Sequence, residues 1–143
     1  MKLTRLSVTL VSLALLFSFC KQHKYTAENL PEQQIRFGKG GGFTGIETMY
    51  TLLENGQLFD SAKKELPKIK TRTAKGYFKT LETLGVKSLQ FSHPGNTYSF
   101  IEIPAESGVN RIVWGDANYP VDAAVKDFFT KLMSATTADS NEK

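Results

Sequence analysis

The chain has 143 residues, 41% of them hydrophobic, 22% charged and 11% aromatic, which is enough apolar material for one packed domain and too few residues for a second. That balance excludes a disordered chain, and a single cysteine excludes a disulfide-stapled mini-domain. The formal net charge is +4 and the pI about 9.2, so the location of the basic residues decides what the charge means.

Lys2 and Arg5 precede an uncharged run from Leu6 to Phe19 that is rich in Leu, Val and Phe, and Cys20 and Lys21 follow it. A basic start and a short apolar run read as an export signal. The run falls short of the roughly 20 apolar residues that a spanning helix needs. Leu16, Phe17, Ser18, Phe19 and Cys20 resemble the lipobox that closes the signal of bacterial lipoproteins. The resemblance implies removal of residues 1–19 and lipid attachment at Cys20, with an uncleaved signal anchor as the alternative. Both tether the domain to a membrane of the bacterial envelope, facing the periplasm or the cell surface. Loss of residues 1–19 removes Lys2 and Arg5 and no acidic residue, lowering the formal net charge from +4 to +2. No nucleic-acid partner is therefore expected.

Residues 20–31 are polar and lack an apolar period, and they read as a lipidated tether to a single domain over 32–133. A strand from Gln33 through Ile35 and Phe37 ends at the glycines Gly40, Gly41 and Gly42. Alternation from Ile46 to Leu53, the dipeptide Asn55-Gly56 and the return from Gln57 to Phe59 predict a hairpin. A two-residue loop would set Leu53 opposite Leu58 and Leu52 opposite Phe59. Thr73 is expected to cap a helix through Leu84, with Tyr77, Phe78, Leu81 and Leu84 at helical spacing and Gly85 just past its end. Val86 to Phe91 reads as a short strand, His93-Pro94-Gly95-Asn96 as a turn, and Thr97 to Ile103 as a buried strand. A turn over Ala105 to Gly108 returns the chain as Val109 to Trp114. Pro120 opens a last helix striped with Val121, Val125, Phe128, Phe129, Leu132 and Met133, and residues 134–143 form a disordered tail. The expected class is α+β, an antiparallel sheet built from two β-hairpins with two helices packed on one face.

The run from Gly40 to Gly45 matches the letters G-x-G-x-x-G, but a strand and hairpin follow where a phosphate-binding loop needs a helix N-terminus. The glycines then serve a tight turn with positive φ, or form an exposed loop in which Gly41, Gly42, Phe43, Thr44 and Gly45 contact a partner. Trp114 and Tyr119, on either side of a loop, are core residues or further partner contacts. Lys63, Lys64, Lys68, Lys70, Arg72, Lys75 and Lys79 bring seven positive charges into 17 residues against Glu65 alone. They are a solvated face, or a basic patch for anionic lipid or an acidic partner. His93 reads as a turn residue, and Glu47, Glu54, Glu102 and Glu106 as isolated charges. No H-E-x-x-H or G-x-S-x-G is present, so no catalytic residue, metal or cofactor is expected.

Gly41-Gly42-Phe43-Thr44-Gly45-Ile46, the helix ending at Leu81 to Leu84, the strand Tyr98-Ser99-Phe100-Ile101, the strand Arg111 to Trp114 and the closing helix after Pro120 resemble the plan of emfourin, a small bacterial inhibitor of thermolysin-type metallopeptidases. The resemblance implies a protein-binding domain. The expected function is a membrane-tethered, non-enzymatic protein-binding module with an envelope or secreted partner, inhibition of a peptidase being one form of it. The alternative is a capture protein for a small molecule or lipid, which needs a cavity between sheet and helices. An enzyme is a third reading.

Overall fold

The computed structural model describes residues 24–105 and 108–137. The expected signal over 1–19, the expected lipid-attachment residue Cys20, Glu106 and the end of the tail lie outside the described residues.

Alternating Gln34, Ile35, Arg36 and Phe37 begin β1 (Gln34–Gly41), and only Ile35 and Phe37 of these point to the helices. β2 (Thr48–Leu53), β3 (Leu58–Phe59) and β4 (Glu65–Leu66) follow, then helix α1 (Thr71–Thr83), β5 (Ser92–His93), β6 (Thr97–Ala105), β7 (Gly108–Trp114) and helix α2 (Ala123–Thr137). The strands form one sheet in the order β4-β3-β2-β1-β6-β7-β5, so the two hairpins join through the antiparallel pair β1 and β6. Ile35, Phe37, Leu52, Leu58, Ile101, Ile103, Ile112 and Trp114 share one face and form a single core with Ala74, Phe78 and Leu81 of α1 and Val125, Phe128, Phe129 and Leu132 of α2. The α+β class holds, with one correction: the sheet is mixed, because β5 runs parallel to β7.

That strand replaces the one expected over Val86 to Phe91. Val86 is buried and Leu89 and Phe91 pack on the core, as their hydrophobicity demands, but no ladder forms there. Asn110 Nδ2 donates instead to the carbonyls of Val86 and Leu89 at 2.8 and 3.0 Å, satisfying them from a side chain. Pairing starts only at Ser92 and His93, so His93 is a strand residue and not part of a turn.

The first hairpin forms one residue out of the expected register, with Leu52 opposite Leu58 and Thr51 opposite Phe59. Glu54, Asn55 and Gly56 make the loop. Gly56 N–H donates to the Leu53 carbonyl at 2.9 Å, and Leu53 N–H donates to the Gln57 carbonyl at 2.9 Å. The bulged turn, with Gly56 at φ +93°, suits Asn55, whose Oδ1 accepts the Gln57 N–H at 2.9 Å. It also puts Leu52 and Leu58 together on the core face, which the two-residue loop would have separated.

Helix α1 begins two residues before the expected Thr73 cap. Lys70 is the N-cap without a side-chain cap, and the Thr71 hydroxyl donates to the Asn55 carbonyl at 3.0 Å. Its end is as expected: Val86 N–H reaches the Leu81 carbonyl and Gly85 N–H the Glu82 carbonyl, the paired bonds of a Schellman stop. In α2 the cap is Asp122, whose Oδ1 accepts the Ala124 N–H at 2.8 Å, so the helix starts after Pro120 and Val121 and continues to Thr137.

Candidate functional site

β1 leads into the glycine run, and the chain reverses there with Gly41, Gly42 and Gly45 all at positive φ. Gly42 N–H donates to the Asn96 carbonyl at 2.6 Å, and Gly45 N–H to the Gly42 carbonyl at 3.2 Å. A four-residue turn results, with Phe43 and Thr44 at its corner. Phe43 is fully exposed and Ile46 about two-thirds exposed, so the loop shows apolar side chains to solvent.

The base of this loop is held from the helix-free face of the sheet. Arg36, Glu102 and Arg111 occupy one row across β1, β6 and β7. Arg36 Nη1 lies 2.7 Å from Glu102 Oε1, and Arg111 Nη1 lies 3.2 Å from Glu102 Oε2. The other arm of Arg111 meets Glu47 Oε1 at 2.7 Å, and the Tyr98 hydroxyl donates to Glu47 Oε2 at 3.2 Å. The guanidinium carbon sits 4.0 Å above the centre of the fully buried Phe100 ring. Burial works against the Arg111 charge, but the bonds to Glu47 and Glu102 more than offset it and raise its pKa further. Gly40 makes room, since a Cβ there would come within 2.7 Å of the Tyr98 ring end and 2.9 Å of Glu47 Cγ. Glu47 is therefore a fixed strut at the start of β2.

The same end of the sheet carries the β7–α2 loop. Tyr119 is half exposed and stacks on His93 with ring centres 4.3 Å apart and planes at 12°. Phe91 meets the His93 ring edge-on at 4.9 Å. Trp114 is buried, its indole edge-on to Phe129 at 5.0 Å, so it is a core residue. It still floors a shallow groove of about 490 Å³ bordered by Gly40, Gly41, Ile46, Tyr98 and Gly115.

Gly41, Gly42, Phe43, Thr44, Gly45 and Tyr119 thus gather at one end of the sheet, with Trp114 beneath them. The basic run does not form one surface. Lys63 and Lys64 lie on the β3–β4 loop, whose backbone is turned around Asp60, while Lys68, Lys70, Arg72, Lys75 and Lys79 follow the chain onto α1. Glu47 and Glu102, read from the sequence as isolated charges, are paired here, and sequence reasoning did not single out Tyr98 or Arg111 as part of a site. The β6–β7 register sets Glu102 opposite Arg111, while nothing local in the sequence brings Glu47 to them.

Among the described residues no group of three or more His, Cys, Asp or Glu could hold a metal ion. No described helix is long and apolar enough to cross a membrane. The cleft between β1, β6 and α1, lined by Ile35, Phe78, Leu81 and Ile103 and rimmed by Glu32, Glu82 and Lys87, measures about 210 Å³, below the roughly 300–1,000 Å³ of ordinary ligand pockets. No family model, curated protein or solved structure matches the chain.

Proposed function

We propose that the chain is a membrane-tethered module of the bacterial envelope that binds a protein partner without carrying out a reaction, using the Gly42–Ile46 loop and Tyr119. The observation that carries this reading is Phe43, a fully exposed phenyl ring on a loop whose two ends are fixed by the Asn96 carbonyl and the Glu47–Arg111 ion pair. A large apolar side chain held in water by a braced backbone costs solubility and gives nothing to the core. On a partner it would bury its ring with little further loss of loop entropy.

A narrower form is supported by the same loop. The hexamer Gly41 to Ile46 that resembles emfourin is the segment that projects from the sheet, and a peptidase would be its partner.

The test is a photo-crosslinking residue at Thr44 of the full-length chain in intact cells, with mass spectrometry of what it captures. One envelope or secreted protein should dominate, and Phe43→Ala should cut its capture about tenfold while changing stability by less than about 0.5 kcal/mol. Capture unaffected by Phe43→Ala would overturn the assignment of the loop. A metallopeptidase among the products would establish the narrower form.

A further inference from the structure

The end of the sheet opposite the Gly42–Ile46 loop is where the described chain begins. Lys24 Nζ pairs with Glu65 Oε2 at 3.2 Å. Tyr25 N–H donates to Gln57 Oε1 at 2.8 Å, and Gln57 Nε2 donates back to the Tyr25 carbonyl at 2.9 Å. Gln57 directly follows the Asn55-Gly56 turn, at the far end of β2 from Thr48. Basic residues cluster around it. The Lys68 stem packs beside Gly56, Lys70 adjoins the Thr71 hydroxyl that bonds Asn55, and Lys75 borders a depression with Tyr25, Glu54 and Asn55. Arg72 is exposed on the same first turn of α1. Among the described residues the acidic groups at this end include Glu32, Glu54, Glu65, which Lys24 engages, and Glu82, which pairs with Lys87.

We infer that this end lies against the bilayer, where Lys68, Lys70, Arg72 and Lys75 meet anionic lipid headgroups, and that the Gly42–Ile46 loop points away from the membrane. The inference rests on the proposed lipid attachment at Cys20. From Cys20 to Lys24 the chain reaches at most about 14 Å, so this end stays close to the headgroups. Surface charge acts over about 8–10 Å at ordinary salt, so the cluster feels it. The eight residues of β1 place the loop roughly 25 Å farther out, beyond that field. Each basic side chain at an anionic surface shifts the orientation balance by roughly fivefold, so four act together on a domain that would otherwise tumble on its tether. A partner approaching from the aqueous side then meets Phe43.

The test uses the full acylated chain reconstituted into vesicles of phosphatidylcholine, with or without phosphatidylglycerol, and an amine-reactive reagent that does not cross membranes. In the anionic vesicles labelling of Lys68, Lys70 and Lys75 should slow several-fold, while Lys39 and Lys126 near the loop end react equally in both. Raising the salt should abolish the difference while the protein still floats with the vesicles. Flotation with equal labelling in both lipids overturns the inference and leaves the anchor standing. Failure to float overturns the anchor and the inference with it. Protection of Lys39 and Lys126 instead would place the Phe43 loop in the membrane and overturn the partner-binding reading too.

Discussion

The two ends of the sheet are both closed by glycine-bearing turns of the first β segment, yet they are built to opposite specifications. At the Asn55 end the side chains of Asn55 and Gln57 are drawn inward. Gln57 is almost fully buried and bonds Tyr25, Asn55 and Glu65, and a Cβ on Gly56 would lie 2.2 Å from the Ile69 carbonyl oxygen. At the Phe43 end the chain is braced only at its base, and around Gly45 a Cβ would meet nothing within 4 Å. One turn closes the core; the other displays side chains. The same residue type serves both, so the neighbours and not the glycines make the difference.

That contrast can be broken most strongly at the glycines. Gly56→Ala should cost about 2–4 kcal/mol, since it adds backbone collision to a left-handed φ, whereas Gly45→Ala should cost only about 1 kcal/mol for its φ alone. Urea denaturation of the two variants measures the gap, and equal losses would show that the two turns are not distinct.

Gln57→Ala should cost about 2 kcal/mol, because it removes both bonds to Tyr25 from a buried site, and amide exchange at Tyr25 should accelerate while exchange near Gly42 stays unchanged. Arg111→Met should cost about 1 kcal/mol, the pairs being partly exposed, but should loosen Glu47 and so weaken partner capture more than it weakens the fold. Partner capture as strong as in the parent protein would show that the strut does not matter to display.

The smallest effect is a pH dependence at the closed end. The hydrogen bond from Lys24, followed by that from Gln57, holds the Glu65 carboxyl below the usual glutamate range. A lowered folded-state pKa means that its contribution is complete above the unfolded glutamate value and is lost as pH falls through the folded one. Exchange at Tyr25, corrected for the intrinsic rate at each pH, should therefore rise below the ordinary glutamate range and be flat from neutrality down to there. In Glu65→Gln that rise should vanish.

Much of the fold was legible because it depends on local rules. Gly85 stopped α1 where a Schellman motif was expected, Thr97 to Ile103 and Val109 to Trp114 paired across the Ala105 to Gly108 turn, and the Val125, Phe128 and Leu132 stripe faced the core. The failures share another cause. Thr73 had the chemistry of a cap, but Thr71 found the Asn55 carbonyl across the fold and the helix began earlier. Val86 to Phe91 had the pattern of a strand, but Asn110 took its carbonyls. Lys24 to Pro31 read as tether, and the structure holds its Tyr25 to Gln57 and sets Ala27 and Leu30 over the helix-free face beside Met49 and Phe59.

By itself, then, the sequence determined the α+β class, a glycine turn after the first strand and the stop signals of the elements, and offered an exposed Phe43 loop as one alternative, because hydrophobic period, φ preference and capping act within a few residues. The tertiary structure alone decided the mixed sheet, the register of the first hairpin and the row Arg36–Glu102–Arg111 with its strut to Glu47. It also decided that the loop and the first described residues stand at opposite ends. Those outcomes depend on which distant groups satisfy each buried carbonyl and each charge, a competition that only the closed fold resolves.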